Sequence, residues 1–466
     1  MLIALIPSVL AILLSFLTGR AGLSLGVGAL LGAVILNGSN LAQLPFYVVS
    51  EFVLAPFTNS WKLGALVLTL LLGGFSSMLE AGGGLTRIFR SLDRGVSDRK
   101  KSLSALAVMG IFCFFDGLAN AILLGKLSRG IAHRFKVSRA LLAYIVDSTS
   151  SAVACLVVFS TWTAYQLSLI QDSAPVSLGS PLGLLLRSIP FNVYSWLSLL
   201  VLFIVIRKNF FVGALRRFEH EAPEPTIDAF VKNDFSKRSL IRALTPLATL
   251  FISFAVLLYF EKGSFVDALA GDRVPLLLNT SALAAIVAAF FLRPPSLSWT
   301  QSLVACSRGI RALLAPLLIL FAAWALSKTL ADLGLAKALS ANFSAREWGV
   351  EWLPLLCFVI SCFISFVTGT SWGTLGLMMP LALPILGEVT NVPASLAPAV
   401  IGAIFGGAVF GDHCSPISDT TVVAAVATDC SVSDHARSQM PYALLAALAS
   451  ALLVYLPLVL WYRLKF

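Results

Sequence analysis

Apolar residues fill this chain in long blocks, with the charges gathered between them. A helix needs about 20 apolar residues to cross the hydrocarbon core of a bilayer, and the blocks approach that length. Leu2 to Leu17 and Gly22 to Leu36 are the first two, joined by a tight turn at Arg20. A loop with an amphipathic stretch runs from Asn37 to Ser60, and Leu63 to Leu79 is the third span. The next apolar stretch, Ser102 to Gly125, is broken only by Asp116 and lies between two basic blocks. Arg87, Arg90, Arg94, Arg99, Lys100 and Lys101 precede it; Lys126, Arg129, Arg134, Lys136 and Arg139 follow it. Positive loops favour the cytoplasm, and a plain span would put these blocks on opposite sides. The pattern therefore predicts a re-entrant hairpin that turns near Asp116-Gly117 and begins and ends on the cytoplasmic side.

Ala140 to Leu169 reads as one further span, with the polar run Asp147 to Ser151 inside it, and Pro190 to Ile206 closes the first half. The longest hydrophilic segment, Arg207 to Arg242, is basic and reads as a cytoplasmic linker. Its core, Glu221 to Asp228, has the composition of a flexible connector. The second half repeats the order. Spans run over Ala243 to Phe260, Val274 to Leu292 and Ala312 to Ser327, followed by a polar amphipathic stretch from Lys328 to Glu351. Trp352 to Gly387 carries no charge and is long enough for a second hairpin, turning near Thr368 to Ser371. A broken span around Asp412 follows, and Pro441 to Leu460 is the last.

The predicted fold is an all-α polytopic membrane protein with two discontinuous helices. It is built as an inverted-topology repeat of about five spans plus a re-entrant hairpin per half, an arrangement recurrent in secondary transporters. The expected division is residues 1–206 as the first repeat, 207–242 as the linker and 243–466 as the inverted second repeat. YIVDSTSSA (Tyr144 to Ala152) lies over VFGDHCSPI (Val409 to Ile417), Asp147 over Asp412 and Ser150 over Ser415. Arg463 and Lys465 run against this orientation, since they would lie outside.

Composition sharpens the class. The chain has 466 residues, of which 58% are hydrophobic and 12% charged, against about 25% charged in a soluble domain. The formal charge of +10 reports loop bias rather than a nucleic-acid partner, because the basic residues flank spans. The first apolar run has no basic leader and no cleavage site, so it reads as a span and not as a removable signal peptide. None of the seven cysteines forms a CxxC pair, which argues against a zinc site or a disulfide framework.

The chemistry gathers at Phe410 to Thr421, FGDHCSPISDTT. Asp412 and Asp419 are the only carboxylates between Val389 and Thr428, and acids within a membrane segment are costly and usually functional. Pro416 cannot continue the helical hydrogen bonding, so the helix should break near Gly411 to Ser418 and face a cavity. Asp147 and Asp412, from opposite halves, are expected to face each other near the midplane. A carboxylate kept from water holds a proton more tightly, and a neighbouring carboxylate adds to this. Such an acid takes a proton or a cation one at a time, the physical basis of an exchanger. Asp419 is either a further ligand or a cap on the second half-helix. Ser148, Thr149, Ser150, Ser415 and Ser418 supply hydroxyls, each of which alone more often bonds a backbone carbonyl. Thr368, Gly369, Thr370 and Ser371 form a hydroxyl-rich hairpin tip. Asp116 and Asn120 share a face of the first hairpin. A sodium ion is expected at Asp147, Asp412 and Ser415. His413 is a candidate proton relay, whereas His133, His220 and His435 read as solvated loop residues.

These strings resemble the NhaC-type sodium/proton antiporter family of the ion-transporter superfamily. The matching stretches are FGDHCSPISDTT, FFDGLAN (Phe114 to Asn120), SRALLAYIVDST (Ser138 to Thr149), STW (Ser160 to Trp162), TGTSWGTLGLMMP (Thr368 to Pro380) and SDHARSQMPYA (Ser433 to Ala443). They occur in matching order from roughly Ser60 to the end. The resemblance implies exchange of sodium for protons; relatives exchange organic acids such as malate and lactate, or carry amino acids. One departure stands out: the family's first hairpin has a paired acid followed by an aromatic, where this chain has Asp116-Gly117-Leu118. That leaves the number of coupling ions and the solute open.

The expected function is a secondary active transporter and not an enzyme. First comes a sodium/proton antiporter with competing ions at midplane aspartates. The alternative is a sodium- or proton-coupled carrier or exchanger of a small organic anion or amino acid. An intramembrane aspartyl protease is disfavoured, since Val409-Phe410-Gly411-Asp412 lacks the Gly two places before its Gly-Asp pair. A channel is disfavoured because inverted repeats suit alternating access. No cofactor is expected beyond sodium ion and proton as transported or coupling ions. The expected partners are the lipid bilayer and a small cation or small organic solute, with a homodimer left open and no nucleic acid. The expected location is the plasma membrane, as a multi-pass protein of a bacterial inner membrane.

Overall fold

The computed structural model describes residues 2–38, 40–93, 98–222, 237–261, 273–335, 337–338, 349–389 and 392–465. Among them every regular element is helical. Eight helical stretches among the described residues are long and apolar enough to cross a membrane, and shorter apolar helices accompany them. The chain is thus a multi-pass membrane protein.

Helices α1 (Leu2–Thr18) and α2 (Ala21–Asn37) pack as a pair. Short helical turns lead to α3 (Ser60–Ala81), whose first amides, of Trp61 and Lys62, are capped by the Asn59 side chain. After α4 (Gly84–Asp93) come α5 (Arg99–Phe112) and α6 (Gly117–Arg134). The turn between them falls at residues 113–116, where the lone acid of the apolar stretch placed it.

The stretch read as one span from Ala140 to Leu169 is corrected. It forms α7 (Arg139–Ser148), α8 (Ser151–Leu156) and a separate α9 (Thr161–Ser173). The chain leaves the helix at Val157 in an extended conformation. Ser160 then caps a new helix, accepting from the Thr163 amide at 3.0 Å, and Thr161 donates its amide to Phe115 O at 3.0 Å. No charge or proline marks this exit, which is why hydropathy alone ran through it.

Next come α10 (Pro181–Ser188), α11 (Val193–Lys208) and α12 (Gly213–His220), the last lying within the predicted linker. Residues 223–236, with most of the connector core, lie outside the described residues. The second half runs α13 (Lys237–Phe260), α14 (Val274–Phe291), α15 (Trp299–Ala312) and α16 (Leu314–Asp332). Helix α15 was not foreseen, because Arg308 and Arg311 break its apolar run; a capping box of Ser298 and Gln301 starts it. Residues 336 and 339–348 of the polar stretch after Lys328 lie outside the described residues.

The uncharged block splits into α17 (Leu353–Thr368) and α18 (Ser371–Gly387). The second broken helix is α19 (Leu396–Cys414) and α20 (Asp419–Ala427). Then α21 (Val432–Ser450) passes through a π turn into α22 (Leu456–Lys465). Helix α21 begins nine residues before the apolar run read from Pro441, because Ser431 caps it by accepting from the Asp434 amide at 3.1 Å.

The broken helices form the centre. Every residue of α19 and of α8 is buried, as is every residue of α7 after Arg139. Helix α17 lies along α19 at very close range. A Cβ on Gly407 would stand 2.5 Å from Ser361 Cβ, and Ser365 Oγ donates across to Ala408 O at 2.5 Å. Small residues permit this approach, and a cross-helix hydroxyl adds to the van der Waals contact it creates.

At the other end of α7, Glu219 of α12 ties three elements. Its carboxylate accepts from the Ser138 amide at 2.8 Å and the Ser138 hydroxyl at 2.5 Å, and it pairs with Arg99. Ser138 caps α7, and Arg99 opens α5. Tyr442 of α21 adds a second anchor: its hydroxyl accepts from Val212 N and donates to Phe210 O.

Candidate functional site

The break between α19 and α20 is held by its own side chains. Ser415 turns extended and donates its amide to Gly411 O at 2.8 Å. The Asp412 carbonyl accepts from Thr420 Oγ1 at 3.3 Å and Thr421 Oγ1 at 2.5 Å. Ser418 Oγ donates to Asp412 Oδ1 at 3.3 Å. Thus the hydroxyls of the motif largely replace helical bonds lost at Pro416. Asp419 accepts from the Thr420 amide at 2.9 Å in the first turn of α20, whose N-cap position is Ser418, and is exposed. Two oxygens are left over. Asp412 Oδ2 and Ser415 Oγ are buried without a hydrogen-bond partner among the described residues. An unmet buried polar atom costs about 1–3 kcal/mol, more when charged.

The second hairpin tip closes on this break. Gly369 has φ +64 and abuts Ile417, and Thr370 caps α18 by accepting from the Gly373 amide at 3.2 Å. Thr368 turns its hydroxyl back to Ile364 O at 2.7 Å. Ser371 comes close to the Asp412 carboxylate.

In the first half the break is at Thr149-Ser150. Thr149 Oγ1 bonds Ile145 O at 2.9 Å and Ser150 Oγ bonds Asp147 O at 2.8 Å, while Ser148 is buried beside Tyr144. Asn120 of the first hairpin reaches across, donating to Gly110 O at 3.0 Å and Thr149 O at 2.8 Å. Gly110 meets Thr149 so closely that a Cβ would overlap its side chain. Asp116 is engaged at both oxygens, capping α6 through the Ala119 amide at 2.8 Å and accepting from Thr161 Oγ1 at 3.1 Å.

Asp147 differs from Asp412. It is fully buried, and its Oδ2 stands 3.3 Å from His435 Nε2. The approach is off the hydrogen-bond line, so both carboxylate oxygens and both ring nitrogens lack a bonded partner among the described residues. His435 is therefore no solvated loop residue; it is completely buried in α21. Its neighbours Ser438, Gln439 and Tyr442 are buried with it. The spacing of these four, one face of a helix, was the available signal, hidden because the polar residues precede the apolar run. His413 bonds Tyr194 OH through Nδ1 at 2.9 Å and lies within electrostatic reach of Asp147 and His435. His220 is exposed, and the side chain of His133 lies outside those described.

The four acids share one region: Asp412 lies within electrostatic reach of Asp419 and Asp147, and Asp419 of Asp147 and Asp116. Among the described residues no three His, Cys, Asp or Glu side chains converge on one point. A cation held here would rest on one carboxylate with hydroxyl, amide and carbonyl oxygens, the donor type of hard cations.

Comparison with known proteins agrees with this architecture. The chain is 28% identical to an uncharacterized protein of Haemophilus influenzae, over 96% of this chain and 89% of the other. It is 39% identical to the Malate-2H(+)/Na(+)-lactate antiporter of Bacillus subtilis, over 23% of each chain. The YdaH transporter of Alcanivorax borkumensis shares the fold, with a TM-score of 0.61 at 17% identity, over 92% of this chain and 90% of that one. The profile of the Na+/H+ antiporter family matches residues 153–457, a range that begins within α8, just past the first break, and holds the second break, the second hairpin and α21; this chain belongs to the Na+/H+ antiporter family.

Proposed function

We propose that the protein exchanges sodium for protons by alternating access. The observation that carries this is the pair of buried, partnerless oxygens, Asp412 Oδ2 and Ser415 Oγ, in a helix break faced by a hairpin tip. A buried carboxylate without a counter-charge is unfavourable; it is relieved by a proton or by a cation, and one displaces the other. Asp147, within electrostatic reach, couples to the same occupancy. The two helix pairs are read as re-entrant hairpins of inverted repeats, so that one half moves against the other around the acids. Asp116 and Asn120 brace the first break, Ser148, Thr149 and Ser150 shape it, and Thr368 and Thr370 shape the second hairpin tip.

A second reading is exchange of a small organic solute, supported by the match to the Bacillus subtilis antiporter over part of the chain. Proteoliposomes loaded with a pH dye and challenged in turn with sodium, lithium, potassium, malate, lactate and amino acids separate the two. Proton flux driven by sodium or lithium alone supports the first. Flux only with an organic solute overturns it in favour of the second.

A further inference from the structure

Helix α21 carries a polar inner face that the sodium/proton reading does not use. His435 and Gln439 lie one helical turn apart on it, 0% and 1% exposed. Both ring nitrogens of His435 and both amide atoms of Gln439 lack hydrogen-bond partners among the described residues. Opposite stands Asp147, with both carboxylate oxygens in the same condition. Helix α21 packs directly on α7, α11 and α19, so this face looks into the region of the acids. Buried side-chain polar atoms in folded proteins nearly always have a partner. Six unmet atoms, on Asp147 and on two residues one turn apart on the helix packed against it, mark a place where something binds at one stage of the cycle.

The chemistry of the three groups narrows what binds and how. A carboxylate and a side-chain amide oxygen are hard oxygen donors. An imidazole nitrogen is a poor ligand for an alkali ion, but it is the common partner of a ligating carboxylate. The Gln439 amide can turn either end inward, since oxygen and nitrogen are interchangeable by a flip.

We propose that Asp147 and Gln439 form an alkali-cation site on the first-half side of the acid cluster, with the Gln439 amide oxygen as ligand and His435 as the residue that positions the Asp147 carboxylate. The site is distinct from the Asp412-Ser415 pair, since its donors come from α7 and α21 rather than from the second helix break. It rests on the sodium/proton reading for the identity of the cation. It makes α21, and not only the hairpins and broken helices, a determinant of cation selectivity.

The test uses the full chain, in detergent for binding and in proteoliposomes for transport. Sodium binding is read as thermal stabilisation by sodium chloride over choline chloride, and transport as proton flux against sodium and lithium concentration. Gln439→Leu should raise the half-saturating sodium concentration about tenfold or more, beyond any fall in maximal rate, and change the sodium-to-lithium preference. Gln439→Glu, which keeps an oxygen, should restore binding. His435→Leu should weaken sodium binding by about 10–100-fold, as loss of a partner to a ligating group does, and His435→Gln should recover part of it. Monodisperse elution of each variant shows that it has folded. Wild-type half-saturation and selectivity in both leucine variants would overturn the proposal. So would loss of maximal rate and thermal stability with unchanged half-saturation and no rescue by Glu or Gln, which marks structural residues only. If the wild type shows no sodium-driven proton flux, the antiporter reading fails; sodium stabilisation that Gln439→Leu abolishes would still uphold the site, and its absence from the wild type would remove the site too.

Discussion

Gly369 lies against the backbone of Ile417: a Cβ added to the glycine would stand 2.9 Å from both the carbonyl carbon and the oxygen of Ile417. The contact joins the second hairpin tip to the break after α19. Gly369 also adopts φ +64, a conformation that costs other L-residues about 1–2 kcal/mol. Gly369→Ala meets both penalties and should lower the rate, and Gly369→Val, which adds two methyl groups beyond that Cβ, should abolish transport while leaving the protein inserted. Flux assays beside membrane-fraction blots check this, and normal flux in the valine variant would place the tip away from the transport path.

Asp412 and Asp147 are unlike in their surroundings, and their amide variants should differ. Asp412→Asn keeps an acceptor for Ser418 but removes the charge from the break, so cation-driven proton flux should vanish with expression near normal. Asp147→Asn leaves His435 beside a neutral group and should either abolish flux or move its pH profile. Flux measured against pH for both variants decides: full rates with unchanged profiles in both would make these carboxylates structural.

Asp116 was a candidate ligand from its isolation in an apolar stretch, and its geometry is that of a cap and a bridge. Asp116→Ala should therefore lower stability by about 0.5–2 kcal/mol, the usual effect of losing an N-cap, with the Thr161 bond lost as well. Asp116→Asn should keep most of the stability. Melting in detergent, with the pH profile of transport beside it, tests this. An unchanged melting temperature with a displaced profile would return Asp116 to the ion path.

Glu219 gathers the starts of α5 and α7 with α12. Glu219→Ala should cost about 1–3 kcal/mol, the penalty for leaving buried partners unmet, because the Ser138 donors lose their acceptor and Arg99 its counter-charge. Thermal unfolding at low and high salt measures it. A variant as stable as wild type would show that Tyr442 alone secures this segment.

Cysteines placed at Lys101 and Arg134 should react with an impermeant reagent from one and the same side of the membrane, if α5 and α6 form a re-entrant pair. Labelling from opposite faces would make them a crossing.

How much of this could be read beforehand follows from local chemistry. The break after Cys414 was legible because Pro416, two acids and several hydroxyls sit within a few residues of an otherwise apolar helix. The turns at residues 113–116 and at Gly369-Thr370 were legible for similar reasons: a lone acid in one, a glycine between hydroxyls in the other. The exit at Val157 was not, because it is fixed by the Ser160 cap and by the Thr161 amide bonding Phe115, contacts that hydropathy does not register. The buried face of α21 was missed because its polar residues lie where the chain is locally hydrophilic. Only the helix start at Ser431 turns them inward.

The tight seam between α17 and α19 separates chassis from cargo. Gly407 and Gly411 face Ser361 and Ser365 with no room for a side chain. A library randomised along α19 and selected for any transported solute should return these two glycines unchanged, while positions around Ser415 drift with the solute chosen. Their register then serves as a ruler for aligning distant members of the family whose cargoes differ.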